Sequence, residues 1–169
     1  MLDSGGFTYI AIDEGWLYLA VVLDLFSRQV VGLEHAAAHA EFTGDGCVAH
    51  GMVRREPDEG LVFHSGRGTQ YCGQEFQSAL ADYKMKSSMS RKGDCWDNAH
   101  TKSFWGGLKV GRLYGKKFAT RSQVMDEVID WMTFYNHRRI HSTLGYVSPM
   151  QFEKSWYVAQ LKKAAQMNG

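Results

Sequence analysis

The sequence predicts an α/β domain, and three observations carry the prediction. Two runs rich in aromatic and β-branched residues, "FTYIAID" and "LYLAVVLDLFSR", are joined by the turn "DEGW", which is a hairpin signal. The apolar run "LVFHS" is followed by the helical pattern "QEFQSALADYK" and then by "MKSSMS", so strands and helices alternate. The last third carries two helices with capping signatures. One domain over residues 1–169 is expected, with strands at about 6–35, 61–65 and 85–89. Helices are expected at about 40–55, 73–84, 97–110, 121–140 and 149–165.

Taken in order, the hairpin is followed by "QVVGLEH", which completes an antiparallel meander after the short "FSR" connection. Its middle strand is almost wholly apolar and is expected to be covered on both faces. The next segment, "AAAHAEFTGDGCVAHGMVRREPDEG", is expected to form a weak or irregular helix. Its Gly44, Gly46 and Gly51 each cost up to ~1 kcal/mol against alanine. "LVFHS" reads as a short buried strand, "QEFQSALADYK" as a helix with Phe76, Leu80 and Tyr83 inward, and "MKSSMS" as an edge strand. Thr120 and Gln123 form a capping box ahead of the core stripe Val124, Val128, Trp131, Met132 and Tyr135. Ser148, Pro149 and Gln151 repeat that arrangement ahead of Phe152, Trp156 and Val158.

Composition narrows the function classes. With 169 residues and 44% apolar content the chain can bury a sizeable core. Its longest apolar run, Trp16 to Leu23, is far short of the ~20 residues that span a bilayer. "MLDSGG" carries no secretory signal, so a cytoplasmic location and no membrane partner are expected. Cys47, Cys72 and Cys95 share no C-x-x-C spacing and read as buried, reduced thiols. Residues 1–84 carry five Lys/Arg against twelve Asp/Glu, and residues 85–169 carry fourteen against six. The net charge of +1 therefore hides a basic C-terminal half that suits nucleic-acid phosphates, although such an excess is also ordinary solvated surface.

The blocks "FTYI", "DEGWLYLAVVLDLFSR", "HSGRGTQY", "SMSRKGDCWDNA", "SFWGGLK" and "FYNHRRIHSTLGYVSP" occur in one order. From about Phe7 to Phe152 the chain resembles the catalytic core of orfB-type insertion-sequence transposases, bacterial relatives of retroviral integrases. The resemblance implies an RNase H-like fold, a mixed five-stranded sheet flanked by helices. It also implies three acids: one on the first strand, one just after the fourth strand and one on the following helix. Two divalent cations ~3.5–4 Å apart, held by such acids, activate the attacking oxygen and steady the leaving one. Carried over motif by motif, those acids fall at Gly6, Gly66 and Lys102. The family's spacing of thirty-five residues is kept between Gly66 and Lys102, so the acids are absent rather than displaced.

Two glycines offer no ligand, and a lysine opposes bound cations by several kcal/mol at short range in a partly buried site. The Mg²⁺ or Mn²⁺ site is expected to be lost, no cofactor is expected, and strand transfer by the family mechanism is not expected. The family carries an N-terminal DNA-binding portion that this sequence does not show, so end-specific recognition is expected to be absent as well. Non-specific contacts to DNA or RNA would come from Arg91, Lys92, Lys109, Arg112, Lys116, Lys117, Arg138 and Arg139, or these residues are plain solvated surface. The resemblance further implies self-association as a homodimer, with Trp105, Trp131 and Trp156 open to core or interface roles.

A second reading is a cleft turned to another hydrolysis, of glycosides or esters. His64, Asp97, His100 and Lys102 would supply an acid and a base. Asp3, expected opposite Asp24 across the hairpin, would give a carboxylate pair suited to glycoside hydrolysis. Each has a structural reading beside it. Asp97 suits a helix N-cap, His64 a bond to backbone, and Asp24 a turn cap or a partner of Arg28. His137 and His141 share zinc-type spacing, but no further ligand is in view and a solvated or DNA-facing role is preferred.

Overall fold

The computed structural model describes residues 2–37, 46, 48, 49, 51, 59–66, 68–90 and 99–167. Five strands, β1 (Leu2–Ile12), β2 (Gly15–Asp24), β3 (Val30–Ala36), β4 (Val62–Ser65) and β5 (Lys86–Met89), form one sheet in the order β3-β2-β1-β4-β5. The β1–β2 and β2–β3 pairs are antiparallel, while β1–β4 and β4–β5 are parallel. This is the expected mixed five-stranded sheet. The hairpin turns on Asp13 and Glu14, with Gly15 at φ 110°, a conformation that favours glycine.

Strand β2 is buried on both faces, and its alternation decides what each face meets. Leu17, Leu19, Val21 and Leu23 join Phe104, Leu108, Val124, Val128 and Trp131 in one core. Ala20 and Val22 join Phe63, Tyr71, Phe76 and Leu80 in the other. Each fully buried Leu or Val contributes about 1.5–3 kcal/mol, and Leu19→Ala would cost about 2–5 kcal/mol in a core that cannot collapse around it. β1 begins at Leu2 rather than near residue 6. Parallel pairing with β4, Leu2↔Val62 through Gly5↔Ser65, extends it over "LDSG", whose composition carries no strand signal.

The helices are α1 (Gln74–Asp82), α2 (Ala99–Leu108), α3 (Arg121–His137) and α4 (Pro149–Met167). A helical turn, Thr69–Cys72, precedes α1, and a wide turn, Lys109–Leu113, prolongs α2 past the expected end. The expected helix at 40–55 lies largely outside the described residues; Gly46, Val48, Ala49 and Gly51 are helical. In α1, Phe76 and Leu80 are buried, whereas Tyr83 lies past the helix end and is exposed.

The capping box of α3 is formed: Thr120 Oγ1 accepts from Gln123 N and Gln123 Oε1 from Thr120 N. Helix α3 stops at His137, short of the expected 140. Its end is tied to β3 by Asn136, which donates to Val30 O at 3.0 Å and accepts from Val30 N at 2.9 Å. Ser148 and Gln151 cap α4 in the same way as the α3 box. Phe152 and Trp156 meet Phe26 at ring distances of 5.3 and 5.5 Å. Val158, expected with them, is exposed, since two residues further along a helix lies on another face. No helix among the described residues is long and apolar enough to cross a membrane.

Candidate functional site

Pairing places Gly6 and Gly66 together. Gly5 is in register with Ser65, and each glycine follows one of that pair on the adjacent parallel strands β1 and β4. Helix α2 crosses them and brings Thr101 and Lys102. Gly6, Gly66 and Lys102 line one cavity of about 190 Å³, with Phe7, Tyr71, Thr101 and Trp105. No carboxylate lines it among the described residues. Thr101 is buried, and its Oγ1 lies 3.1 Å from Ser4 Oγ. A Cβ placed on Gly6 would come within 2.3 Å of Thr101 Cγ2, so the threonine methyl occupies the space that a side chain there would need. Among the described residues the lining does not fit a divalent cation. Lys102 brings a cation, and the buried Trp105 Nε1–H is a donor with no acceptor among the described residues, where a hard metal requires oxygen ligands.

The residues considered for a replacement chemistry do not come together. His64 stands outside this cavity, with Nδ1 3.1 Å from Ser88 Oγ and Nε2 3.2 Å from Ser90 Oγ; its partners are hydroxyls, not the backbone expected. His100 lines a different cavity from Lys102, because two residues along a helix lie about 200° apart. Asp97, Arg91 and Lys92 lie outside the described residues. Asp3 and Asp24 are in register, as the hairpin predicted, but both are buried. The Asp24 carboxylate accepts from Phe26 N at 2.9 Å, Ser27 N at 3.2 Å and Ser27 Oγ at 2.6 Å. It caps the β2–β3 turn and is 0% exposed, which removes it from any substrate. Among the described residues no three His, Cys, Asp or Glu side chains form a metal-sized cluster. Cys72 is exposed rather than buried, because Tyr71 takes the inward position of that helical turn.

The second cavity, about 250 Å³, lies between the β2–β3 turn, the start of α2 and the segment after α3. Arg28, His100, Arg139 and His141 line it, with the hydroxyl residues Ser103, Ser142 and Thr143. His141 is held below the ordinary histidine range by burial first, and then by Arg139, Arg28 and His100. His100 is lowered by burial and by Arg28. Burial pushes the Tyr135 hydroxyl up, partly countered by the two arginines. His137 and His141 do not share a helical face, since α3 ends between them.

Of the other basic candidates, Lys109 stands 6.0 Å from the centre of the Tyr9 ring, and Lys116 pairs with Glu127. Arg112 is half-buried, while Lys117 and Arg138 are exposed. Arg139 lies over Trp131 and Tyr135, at 5.8 and 5.3 Å. Trp105 and Trp131 are core residues, each 6% exposed. Sequence reasoning missed Arg28, Ser103, Ser142 and Thr143 as cavity residues. The one available signal was an arginine closing the turn "LFSR", which local pattern assigns to Asp24.

The integrase core domain family matches residues 2–95 and again residues 83–149. The chain belongs to that family. This integrase core is 38% identical over 151 residues to the transposase InsF for insertion sequence IS3A of Escherichia coli (strain K12), covering 89% of the chain and 52% of the relative. It is 39% identical over 151 residues to the transposase for insertion sequence element IS904 of Lactococcus lactis subsp. lactis (strain IL1403), covering 89% and 60%. The chain thus spans about half the length of the curated relatives it matches. Among solved structures it superposes on the HTLV-2 integrase catalytic core domain in complex with magnesium, trimeric form, with TM-score 0.65, 15% identity, and 89% and 94% of the two chains covered. A simian T-cell lymphotropic virus intasome in complex with PP2A regulatory subunit B56 gamma gives TM-score 0.71 at 16% identity, covering 89% and 53%. These likenesses show the fold, a retroviral integrase-like, RNase H-like core.

Proposed function

We propose that this chain is a transposase core in which metal-dependent DNA strand transfer has been lost and non-specific binding of DNA or RNA is retained. One observation carries the reading: Gly6, Gly66 and Lys102, the positions at which the resemblance implies acids, line a single cavity. The register that would bring three carboxylates together is intact, and the side chains it brings together cannot ligate a cation. Self-association as a homodimer belongs to the same reading, and sedimentation of the chain reads it directly.

Incubation of the chain with end-labelled DNA and Mn²⁺ is expected to leave the DNA uncut. Cutting that follows the chain through purification and disappears in a Lys102→Ala variant overturns the loss of chemistry. Filter binding at two salt concentrations reads the retained binding, which is expected at low salt and steeply weakened at high salt. No retention at low salt overturns that half.

A further inference from the structure

We propose that the cavity formed by the β2–β3 turn, the first turn of α2 and the segment after α3 grips one backbone phosphate of a nucleic-acid strand. The inference rests on the retained nucleic-acid binding proposed above and gives it a place on the molecule. Four nitrogen-bearing side chains, Arg28, His100, Arg139 and His141, line this cavity, and no carboxylate lines it among the described residues. Among the described residues, Arg28 Nη1 and His141 Nε2 are buried without a hydrogen-bond partner. Buried polar atoms are nearly always satisfied, so two left without a partner on side chains that line one cavity point to a ligand that binds there. An anionic oxygen between them takes charge-assisted bonds from the guanidinium and, with its proton on Nε2, from the imidazole. His100 comes from the first turn of α2 and Ser103 from the next. The field is already felt by the two histidines, both lowered in part by Arg28.

The backbone is arranged for this placement. Arg28 has φ 63°, a left-handed conformation that non-glycine residues avoid, and the turn holding it is wired by Asp24 and Ser27. Tyr146, at φ 61°, is a second such residue; its N–H bonds His141 O at 2.9 Å, and its ring is 72% exposed. Strained backbone of this kind gathers at binding sites. Tyr146, exposed and three positions after the cavity-lining Thr143, offers a bound strand a surface for base stacking that a free phosphate ion would not use.

The test uses the full chain at low salt with two probes, inorganic phosphate and a single-stranded oligonucleotide of about 12 nucleotides. NMR signals of the His100 and His141 rings should move saturably with both probes and stay still with chloride at equal ionic strength. Arg28→Gly suits the left-handed backbone and keeps the fold, and it should weaken both probes by about tenfold or more. Tyr146→Gly should weaken the oligonucleotide by about tenfold and leave phosphate unchanged. If the oligonucleotide binds while the histidine signals stay still, or Arg28→Gly binds as the parent does, this pocket is overturned and the retained binding stands. Histidine signals that respond to phosphate alone, with no oligonucleotide bound, overturn both the nucleic-acid ligand and the reading beneath it.

Discussion

Moving one methyl group across the Gly6–Thr101 contact tests the geometry of the family site directly. A Cβ on residue 6 stands 2.3 Å from Thr101 Cγ2 and 3.1 Å from Thr101 Cβ, where ordinary contacts begin near 3.4 Å. Thr101 is 2% exposed and cannot swing aside without disturbing its 3.1 Å contact with Ser4 Oγ. Gly6→Ala should therefore overpack the site, at a cost of about 1–3 kcal/mol, offset by about 0.4–1 kcal/mol from the stiffer unfolded chain. Thr101→Ser removes Cγ2, keeps the hydroxyl and costs about 1 kcal/mol for one buried methyl. The double variant restores the count of methyls in the same space and should lie within about 0.5 kcal/mol of the parent, a coupling of about 2 kcal/mol. Urea unfolding followed by tryptophan fluorescence, with unchanged slope, measures all four proteins. If the double variant loses the sum of the two single losses, the two residues do not share this space.

Three further outcomes follow from the same structure. Asn136→Ala leaves both Val30 backbone groups without their side-chain partners and should cost about 2–4 kcal/mol in urea unfolding; a loss below about 1 kcal/mol means another group ties α3 to β3. Thr120→Ala removes half of the α3 capping box and should cost about 1 kcal/mol by the same measurement, and no change means the box does not hold the helix start. His141 and His100 titrate below the ordinary 6.5 when folded, so on acidification the unfolded chain gains protons first. The stability they confer is present above about 6.5 and is lost as the pH falls through their folded values. Tm should fall as the pH drops below about 6.5, and by less in His141→Gln; equal falls in the two proteins refute the assignment.

The strands and helices that carry a periodic signal were legible in advance. The doubly covered β2, the Asp13–Glu14 turn, the Asp3↔Asp24 register and both capping boxes all follow from local pattern, because each is decided by residues within a few positions. The start of β1 was not legible, since "LDSG" becomes strand only by pairing with β4, sixty residues away. The pairing that brings Gly6 beside Gly66 is equally non-local and was reached through family resemblance. Within the cavity, position 102 was found through the family motif and checked by spacing, but the role of Thr101 was not found, because a buried methyl against a glycine leaves no trace in one sequence. Arg28 was hidden for a different reason. Its turn reads as a local cap, and only the end of α3, more than a hundred residues later, shows what the side chain faces.

The proposed loss of chemistry and the persistence of the fold have one physical explanation. Leu17, Leu19, Val21 and Leu23 on one face of β2, and Ala20 and Val22 on the other, stabilise the sheet without needing a carboxylate at position 6, 66 or 102. Three carboxylates converging there would repel one another unless cations neutralised them, so their replacement does not weaken the core and removes that repulsion. The way back is harder. Gly6→Asp alone drives a Cβ into the Thr101 methyl, and a carboxylate restored at position 66 would face Lys102 instead of a third acid. Restoring a metal site needs at least Gly6→Asp, Gly66→Asp and Lys102→Glu together with a smaller residue at 101. The quadruple variant with Thr101→Ala should bind Mn²⁺, read by its broadening of nearby NMR signals, whereas the triple variant that keeps Thr101 should bind more weakly and unfold at lower urea. Equal Mn²⁺ affinity and equal stability in the two would show that Thr101 does not obstruct the site.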